Sequence, residues 1–325
     1  MEKVVLLADP KTDAFAFAEK IQGYLKERRD VEVPLLELEV SKFRNGELGM
    51  HVPENLRQKK VYFIQSPSKD PQQWWVELML ACDLIPNASA KSLSLVLPNM
   101  LYSRQDRKDQ HHVPISARTV ARTISHGTKR IITMDLHAGQ IQGFYPNTLP
   151  VDNLYSFPEL VRHLSQNYLS ELESLAIVSP DAGGTKRARA LLSKLERLEE
   201  CETKFSFALI DKSRSGPGEI ERMDLVGDVE GKNVLIVDDM YDSCGTMCSA
   251  GELIKEKGAE KLFCYATHGI FTKGTKRLKK TFDRVITSNT HYRDSNDVEV
   301  IDVSGMFAEA IYRATKGLSI SKLFK

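Results

Sequence analysis

The chain has 325 residues with a formal net charge of +1, and 42% of its residues are hydrophobic and 27% charged. This composition is typical of a globular protein, and the length is sufficient for two domains with separate cores. A charge balance near zero argues against a general nucleic-acid-binding protein. No apolar run approaches the ~18 residues that a membrane span needs. Five cysteines without the spacing of a disulfide framework favour a reducing cytoplasm.

Strand-like and helix-like patterns alternate along the whole chain. The predicted strands are 4–8, 31–39, 60–66, 92–97 and 130–136 in the first half, and 175–178, 205–210, 234–237, 262–267, 284–288 and 298–303 in the second. The predicted helices are 13–28, 72–84, 116–125, 157–169, 186–198, 247–257 and 305–315. Such alternation indicates parallel sheets covered by helices.

Two sets of alternating elements predict an α/β protein with two similar doubly wound parallel-sheet domains. We expect an N-terminal α/β domain over residues 1–152 and a C-terminal α/β domain over residues 153–315. The last residues, 316–325, are expected to pack back on the first domain.

A loop after the second predicted strand, 42–47, places Phe43 beside polar residues and an Asn45-Gly46 pair. An aromatic ring there could stack on a nucleotide base while the polar groups bind its edge. A plain hairpin turn with Asn-Gly at its tip fits the pattern equally well. The loop after the fourth strand, 97–109, carries three cations within five residues and could meet a polyphosphate or form a solvated surface.

Asp135 and His137 come at the end of the fifth predicted strand. In an extended chain, residues two apart point to the same side, so both could reach one cation. The alternative is that His137 is an ordinary polar residue at a strand end. Mg²⁺ prefers oxygen ligands, so His137 could instead act on a nucleotide or a bound water.

A glycine-containing loop, 179–187, follows the first strand of the second half and opens a helix. Gly183 and Gly184 would let backbone N–H groups approach a phosphate closely, and Lys186 and Arg187 would supply countercharge. A second polar loop, 211–219, carries Lys212 and Arg214 beside a Gly-Pro-Gly sequence. It is suited to a mobile lid over transferring phosphates, but a plain surface loop is the alternative.

The segment 234–246 joins four aliphatic residues to Asp238 and Asp239 and then to a turn of small residues before a helical pattern. Backbone N–H groups at the start of a helix suit a phosphate. The two carboxylates suit sugar hydroxyls or Mg²⁺, so the segment predicts a ribose 5-phosphate site. The alternative is that Asp242 or Ser243 only caps the helix.

The segment 234–246 resembles the 5-phosphoribosyl 1-pyrophosphate (PRPP) motif, which type I phosphoribosyltransferases and ribose-phosphate pyrophosphokinases share. The other loops extend the resemblance over residues 4–324 to the class I ribose-phosphate pyrophosphokinases, also called PRPP synthetases. The motifs that carry it are 102–109, 134–138 with 140–144, 150–154, 179–187, 222–223 with 226–228, and 267–271.

The resemblance implies transfer of the diphosphoryl group of ATP to the 1-hydroxyl of ribose 5-phosphate, giving PRPP and AMP for nucleotide biosynthesis. It also implies domains of the type I phosphoribosyltransferase-like kind, a Mg²⁺ cofactor, and self-association into dimers and a hexamer, with adenine bound partly by a neighbouring subunit. The implied ligands of ribose 5-phosphate are Asp238, Asp239, Asp242, Ser243, Cys244, Gly245 and Thr246. Those of ATP are Phe43, Asn45, Gly46, Glu47, Arg104, Gln105, Asp109 and His137. The implied pyrophosphate loop contains Asp181, Gly183 and Gly184, and the implied metal ligands are His137, Asp181 and Asp135. The implied catalytic cations are Lys212 and Arg214.

Three departures from the family pattern bear on nucleotide choice and regulation. Asn45 stands where the family usually has Asp, and Gln110, His111 and His112 replace a Lys-Ser-Arg sequence typical of members that phosphate activates and ADP inhibits. The segment 145–149 is longer than usual and lacks a common Asp. We therefore expect weakened phosphate and ADP control. A non-catalytic regulatory homologue and a type I phosphoribosyltransferase remain as alternatives.

Overall fold

The structure is a computed structural model that describes residues 3–199, 201–213, 222–291 and 297–324. These residues form two compact units. The first unit contains 3–155, 290–291 and 303–324, and the second contains the described residues of 156–289 together with 297–302. Within these residues, no helix is long and apolar enough to cross a membrane.

The elements up to residue 154 belong to the first unit. They are β1 (Val4–Ala8), α1 (Asp13–Arg29), β2 (Leu35–Glu37), β3 (Glu39–Lys42), β4 (Leu48–His51), β5 (Lys60–Ile64), α2 (Pro71–Asn87), β6 (Ser92–Leu97), α3 (Ser116–Ile124), β7 (Thr128–Met134) and β8 (Val151–Leu154). The later elements are α4 (Phe157–Asn167), β9 (Ser174–Ser179), α5 (Thr185–Leu195), β10 (Lys204–Ser213), β11 (Arg222–Val226), β12 (Asn233–Tyr241), α6 (Gly245–Glu256), β13 (Leu262–Gly269), α7 (Lys276–Thr281), β14 (Arg284–Ser288), β15 (Glu299–Ile301) and α8 (Ser304–Lys316).

The first unit is built on a parallel six-stranded sheet in the order β2-β1-β5-β6-β7-β8, with β3 and β4 forming a separate antiparallel hairpin. Strand β1 is buried along its whole length, as expected for an apolar run covered on both faces. Helix α8 returns to this unit, because Phe307 packs edge-on against Phe17 with ring centroids 5.3 Å apart. The predicted second domain extended to residue 315, whereas the structure assigns the described residues from 303 onwards to the first unit.

A network of buried charges fills the end of the first sheet between β1 and β5. The Lys69 ammonium donates to Asp9 at 2.9 Å and to both oxygens of Glu77 at 2.7 and 2.8 Å. Gln65 and Gln73 donate to the same Glu77 carboxylate at 2.7 and 2.8 Å. Because β1 and β5 lie where the strand order reverses, this is the position at which open α/β sheets usually bind a ligand. In this unit the side chains of Lys69, Asp9 and Glu77 fill that position.

The second unit is built on a seven-stranded sheet in the order β11-β10-β9-β12-β13-β14-β15. All its pairs are parallel except β10 with β11, which is antiparallel at the sheet edge. The order reverses between β9 and β12, so the loops after these two strands share one edge of the sheet. These are the two loops that the sequence associates with phosphate and ribose.

Three of these strands and one of these α-helices were absent from the sequence-based prediction. Strand β8 is only four residues long and half polar, and β11 alternates charged with apolar residues at a sheet edge. Strand β4 belongs to the short hairpin, and α7 has only six residues. Each lacks the long apolar run or the helical period on which the predictions were based.

Candidate active site

An acidic pair, Asp238 and Asp239, lies near the carboxyl end of β12. Asp239 is buried, with 3% of its surface exposed, and the side chain of Asp238 is 29% exposed. The backbone N–H of Asp239 donates to Oδ1 of Asp238 at 2.8 Å. Burial, followed by the neighbouring charge of Asp239, raises the pKa of Asp238 above its ordinary value. A cation would therefore be favoured beside the pair.

The guanidinium of Arg187, from the first turn of α5, faces both carboxylates. Its Nη1 lies 3.5 Å from Oδ1 of Asp238 and 3.5 Å from Oδ1 of Asp239. These distances are longer than the ~2.7–2.9 Å of a tight charge-assisted hydrogen bond. The contact therefore neutralises charge without locking the geometry.

The start of helix α6 is shaped to bind an anion. Cys244, the residue before the helix, has a left-handed backbone with φ of 63°, and its own side chain does not cap the first turn. The N-cap position is thus held by Cys244, one residue later than the alternative of Asp242 or Ser243 supposed. The backbone N–H groups at the start of a helix and the positive end of its dipole together favour a phosphate.

The turn before α6 is held by the segment that follows β13. Ile270 and Phe271 donate their backbone N–H groups to the Tyr241 carbonyl at 2.8 and 2.9 Å. Thr272 donates its hydroxyl to Oδ1 of Asp242 at 2.8 Å and its backbone N–H to the Asp242 carbonyl at 3.1 Å. These bonds fix the turn between the acidic pair and the helix.

The side chains of the turn differ in what they can offer a ligand. Ser243 and Thr246 are exposed, whereas the Cys244 thiol packs into the core of the unit. Burial raises the pKa of Cys244 to about 12, so the thiol stays neutral near pH 7. Cys244 can therefore contribute its backbone and not its sulfur to a ligand.

The loop after β9 is tightly turned around Asp181. Oδ1 of Asp181 accepts the N–H of Gly184 at 2.8 Å, and the Ser179 hydroxyl donates to the Asp181 carbonyl at 2.7 Å. A Cβ at Gly184 would lie 2.8 Å from Oγ of Ser179, so a side chain there would need the serine to move. Gly183 is exposed beside it. One oxygen of Asp181 is thus used to shape the loop.

Lys212 lies on strand β10, paired with Met223 of β11, and not in a loop as the sequence predicted. The strand extends through Ser213, three residues further than the apolar run suggested. The second catalytic candidate, Arg214, lies outside the described residues, as does the Gly-Pro-Gly sequence of the predicted lid.

Phe43, Asn45, Gly46 and Glu47 are placed at the turn of the β3–β4 hairpin, and all four are exposed. The segment has the geometry of a hairpin turn: the backbone N–H of Phe43 donates to the Glu47 carbonyl at 2.8 Å, and that of Glu47 donates to Oδ1 of Asn45 at 3.2 Å. The Phe43 ring is 61% exposed, which is unusual for a large apolar side chain.

In the loop after β6, Arg104 and Asp109 are exposed, and Gln105 is partly buried. Gln105 accepts the Ser116 hydroxyl at 2.5 Å, and its backbone carbonyl accepts the N–H of Ala117 at 3.2 Å. Gln105 therefore fixes the start of α3 as well as facing the loop.

Asp135 and His137 do not lie on one side of an extended strand, as the sequence predicted. Strand β7 ends at Met134, and Asp135 has a left-handed backbone with φ of 40°. Asp135 is buried and His137 exposed. Both belong to the first unit, whereas Asp181 belongs to the second. Within either unit, the described residues contain no group of three His, Cys, Asp or Glu side chains that could hold a metal ion.

Comparison with known proteins covers both units. The model of the N-terminal domain of ribose phosphate pyrophosphokinase matches residues 11–127, and that of the phosphoribosyl synthetase-associated domain matches 210–325. The chain is 38% identical over 317 residues to a ribose-phosphate pyrophosphokinase of Rhizobium meliloti, covering 94% of this chain and 96% of the relative. It is 38% identical over 307 residues to ribose-phosphate pyrophosphokinase 2 of Schizosaccharomyces pombe, covering 92% of each chain. The chain belongs to the ribose-phosphate pyrophosphokinase family.

A crystal structure of phosphoribosylpyrophosphate synthetase from Mycobacterium smegmatis shares the fold. It aligns with a TM-score of 0.82 and 28% identity, over 97% of this chain and 100% of that one. Membership of the ribose-phosphate pyrophosphokinase family makes the chain an enzyme of this class with an α/β fold of parallel sheets. The type I phosphoribosyltransferase alternative is wrong, because it accounted only for the 234–246 motif, whereas the relatives match over nearly the whole chain.

Sequence reasoning missed two contacts at the site of this pyrophosphokinase family member. It assigned Arg187 to a phosphate, but the guanidinium faces the acidic pair. It did not single out Thr272, which holds Asp242. Both contacts depend on which strands are neighbours in the sheet, and the sequence gives no direct signal for that order.

Proposed function

We propose that this chain transfers the diphosphoryl group of ATP intact to the 1-hydroxyl of ribose 5-phosphate, giving PRPP and AMP. The observation that carries the proposal lies within the second unit. Asp238 and Asp239 lie near the end of strand β12, and the start of α6 follows after a short turn. An anion site beside a site for hydroxyls or a cation matches the two ends of a sugar phosphate.

In this proposal, residues 242–246 bind the 5-phosphate, mainly through backbone N–H groups at the start of α6. Asp238 and Asp239 face the ribose hydroxyls. The bonds from Thr272 hold the turn in place, so the acceptor is oriented before the donor reacts.

Mg²⁺ is the cation that we propose for the reaction. The carboxylate oxygens of Asp238 and Asp239 are ligands that Mg²⁺ prefers, and the partial exposure of Asp238 leaves space for water or substrate oxygens. The bound ion would neutralise charge on the transferring phosphates. Asp135, His137 and Asp181 are proposed to lie at the metal and the triphosphate.

The residues proposed to bind the donor nucleotide are described for each unit separately. Phe43, Asn45, Gly46 and Glu47 would bind adenine from a neighbouring subunit, which agrees with the exposure of the Phe43 ring. The residues proposed around the rest of ATP are Arg104, Gln105, Asp109 and His137 in the first unit, and Asp181, Gly183 and Gly184 in the second.

The chemistry requires positioning and charge stabilisation more than covalent catalysis. The oxygen of the 1-hydroxyl bonds to the β-phosphorus, the bond from that phosphorus to the bridging oxygen of AMP breaks, and the hydroxyl proton is released. Lys212 and Arg214 are the cations proposed to stabilise the charge that develops on the transferring group.

We also propose self-association into dimers and a hexamer, and a cytoplasmic location. Helix α2 supports the association, because its apolar residues Val76, Met79 and Leu80 are 36–37% exposed. The five cysteines, none of which forms a disulfide, support a reducing compartment. We further propose that Gln110, His111 and His112 weaken phosphate activation and ADP inhibition.

The test is an assay of the purified protein with ribose 5-phosphate, ATP and Mg²⁺, scored for AMP and PRPP by chromatography. Asp238→Asn keeps the size of the side chain and removes its charge, so we expect weaker ribose 5-phosphate binding and a loss of turnover of about 10²-fold or more. Asp297→Asn, an exposed aspartate of the same unit, is the matched control and should leave both unchanged. Absence of AMP from the wild-type reaction would favour the non-catalytic homologue.

A further inference from the structure

Arg187 occupies the side of the acidic pair that a divalent cation would use. Its guanidinium bridges Asp238 and Asp239 with both contacts at 3.5 Å. The Arg187 side chain is 19% exposed and that of Asp239 is 5% exposed, so the contact is largely shielded from water. Shielding strengthens the attraction between the opposite charges.

The position of Arg187 on its helix does not by itself favour a cation. Arg187 lies in the first turn of α5, where the positive end of the helix dipole disfavours positive charge. Arg189, two residues later on the same helix, instead packs its guanidinium over the Phe207 ring at 4.2 Å from the centroid. The acidic pair is therefore the feature that favours the observed placement of the Arg187 charge.

The acidic pair needs a positive partner whether or not substrate is bound. Two carboxylates at successive positions repel each other, and burial of Asp239 increases the cost of leaving them unpaired. A contact of 3.5 Å supplies countercharge without a tight bidentate bond, so another cation can replace it. Arg187 also lies three residues after Gly184, at the end of the pyrophosphate loop.

We propose that Arg187 is the resident counter-ion of the acidic pair in the ligand-free enzyme, and that a divalent cation bound with the sugar hydroxyls displaces it. The displaced guanidinium remains at the pyrophosphate loop, where the diphosphate of the product needs positive charge. This inference rests on the proposed function of the site. Its consequence is that a divalent cation binds the pair weakly until ribose 5-phosphate contributes further oxygens.

The first experiment measures Mn²⁺ binding to the full chain without sugar or nucleotide, by the electron paramagnetic resonance signal of unbound Mn²⁺. Arg187→Gln removes the competing charge, so we expect Mn²⁺ to bind about tenfold more tightly than to wild type. Arg189→Gln removes the same charge from the same helix without a contact to the pair, so its Mn²⁺ affinity should match that of wild type.

Two further variants locate the effect and guard against misfolding. Arg187→Lys keeps a positive charge, so its Mn²⁺ affinity should stay close to that of wild type. Asp238→Asn combined with Arg187→Gln removes a proposed ligand, so the gain in Mn²⁺ affinity should disappear. Thermal denaturation supports the comparison: in EDTA, Arg187→Gln should melt below Arg189→Gln, and Mn²⁺ should raise its melting temperature more than that of wild type.

The inference is overturned if Arg187→Gln and Arg189→Gln bind Mn²⁺ alike, or if the gain persists in the double variant. It is also overturned if Arg187→Lys behaves like Arg187→Gln. None of these measurements uses turnover, so failure of the inference can be distinguished from failure of the proposed function. A wild-type protein that makes no PRPP would refute that function, whereas active wild type with unchanged Mn²⁺ binding in Arg187→Gln would refute only the role of Arg187.

Discussion

Replacing Lys69 with methionine tests whether the buried charge network holds the first unit together. The side chains of Lys69, Asp9 and Glu77 are 9%, 6% and 0% exposed. Methionine keeps most of the length of lysine but leaves two carboxylates buried without their cation. Breaking a buried pair in this way typically costs ~3–5 kcal/mol. With a urea dependence of ~2–3 kcal/mol per molar, the unfolding midpoint should fall by about 1–2 M.

The chain offers a selective probe for this measurement. Both of its tryptophans, Trp74 and Trp75, lie on α2 in the first unit, so their fluorescence follows the unfolding of that unit. Lys26→Met is the matched control, because Lys26 pairs with Glu32 at 3.1 Å but the two side chains are 67% and 80% exposed. Exposed pairs contribute ~0–1 kcal/mol, so this variant should unfold close to wild type.

A second substitution separates charge from packing in the same network. Adding Glu77→Gln to Lys69→Met removes one of the two uncompensated charges while keeping an oxygen for Gln65 and Gln73. We expect the double variant to be more stable than Lys69→Met alone. Equal midpoints for Lys69→Met and Lys26→Met would refute the reasoning.

Three other predictions concern the site and its regulation. Lys212→Ala should lower turnover by about 10²–10³-fold while leaving ribose 5-phosphate binding, measured by calorimetry, nearly unchanged; loss of sugar-phosphate binding would contradict the assigned role. ADP inhibition should be simple and insensitive to phosphate in initial-rate assays, whereas a sigmoidal ADP curve relieved by phosphate would contradict weakened control. Iodoacetamide should label Cys201 first in the native protein, because the other four cysteines are buried and burial raises the pKa of each of their thiols. The labelled positions are read by mass spectrometry, and early labelling of Cys244 would contradict the observed packing.

Continuous apolar runs made the central strands predictable from the sequence. Residues 4–8, 92–97 and 284–288 were predicted with the bounds that the structure has. The run 4–8 is wholly apolar because β1 is covered on both faces, and 92–97 and 284–288 are buried at every residue after the first. Edge strands such as β11 are half solvated, and their alternating polar residues resemble a loop.

The packing of α8 on the first unit could not be predicted from the sequence. The helix itself was predicted from its period, but its partner α1 lies far away in the sequence. The packing of Phe307 on Phe17 and the ion pair of Glu309 with Arg29 decide its place. Neither contact has a local pattern that could reveal it.

The candidate site was predictable where one loop carries its own chemistry, as in 234–246. It was less predictable where the backbone departs from a regular strand. The left-handed conformation of Asp135 ends the alternation that paired it with His137. The contact of Arg187 with the acidic pair arises from the adjacency of β9 and β12, which only the folded sheet reveals.

The most direct test of the central claim follows phosphorus from ATP to product. Wild-type protein is incubated with ribose 5-phosphate, Mg²⁺ and ATP labelled at the α-, β- or γ-phosphorus, and the products are separated. Intact diphosphoryl transfer predicts that the β and γ labels both appear in PRPP while the α label appears only in AMP. Release of ADP with a single label moved to the sugar, or no transfer of label, would contradict the account.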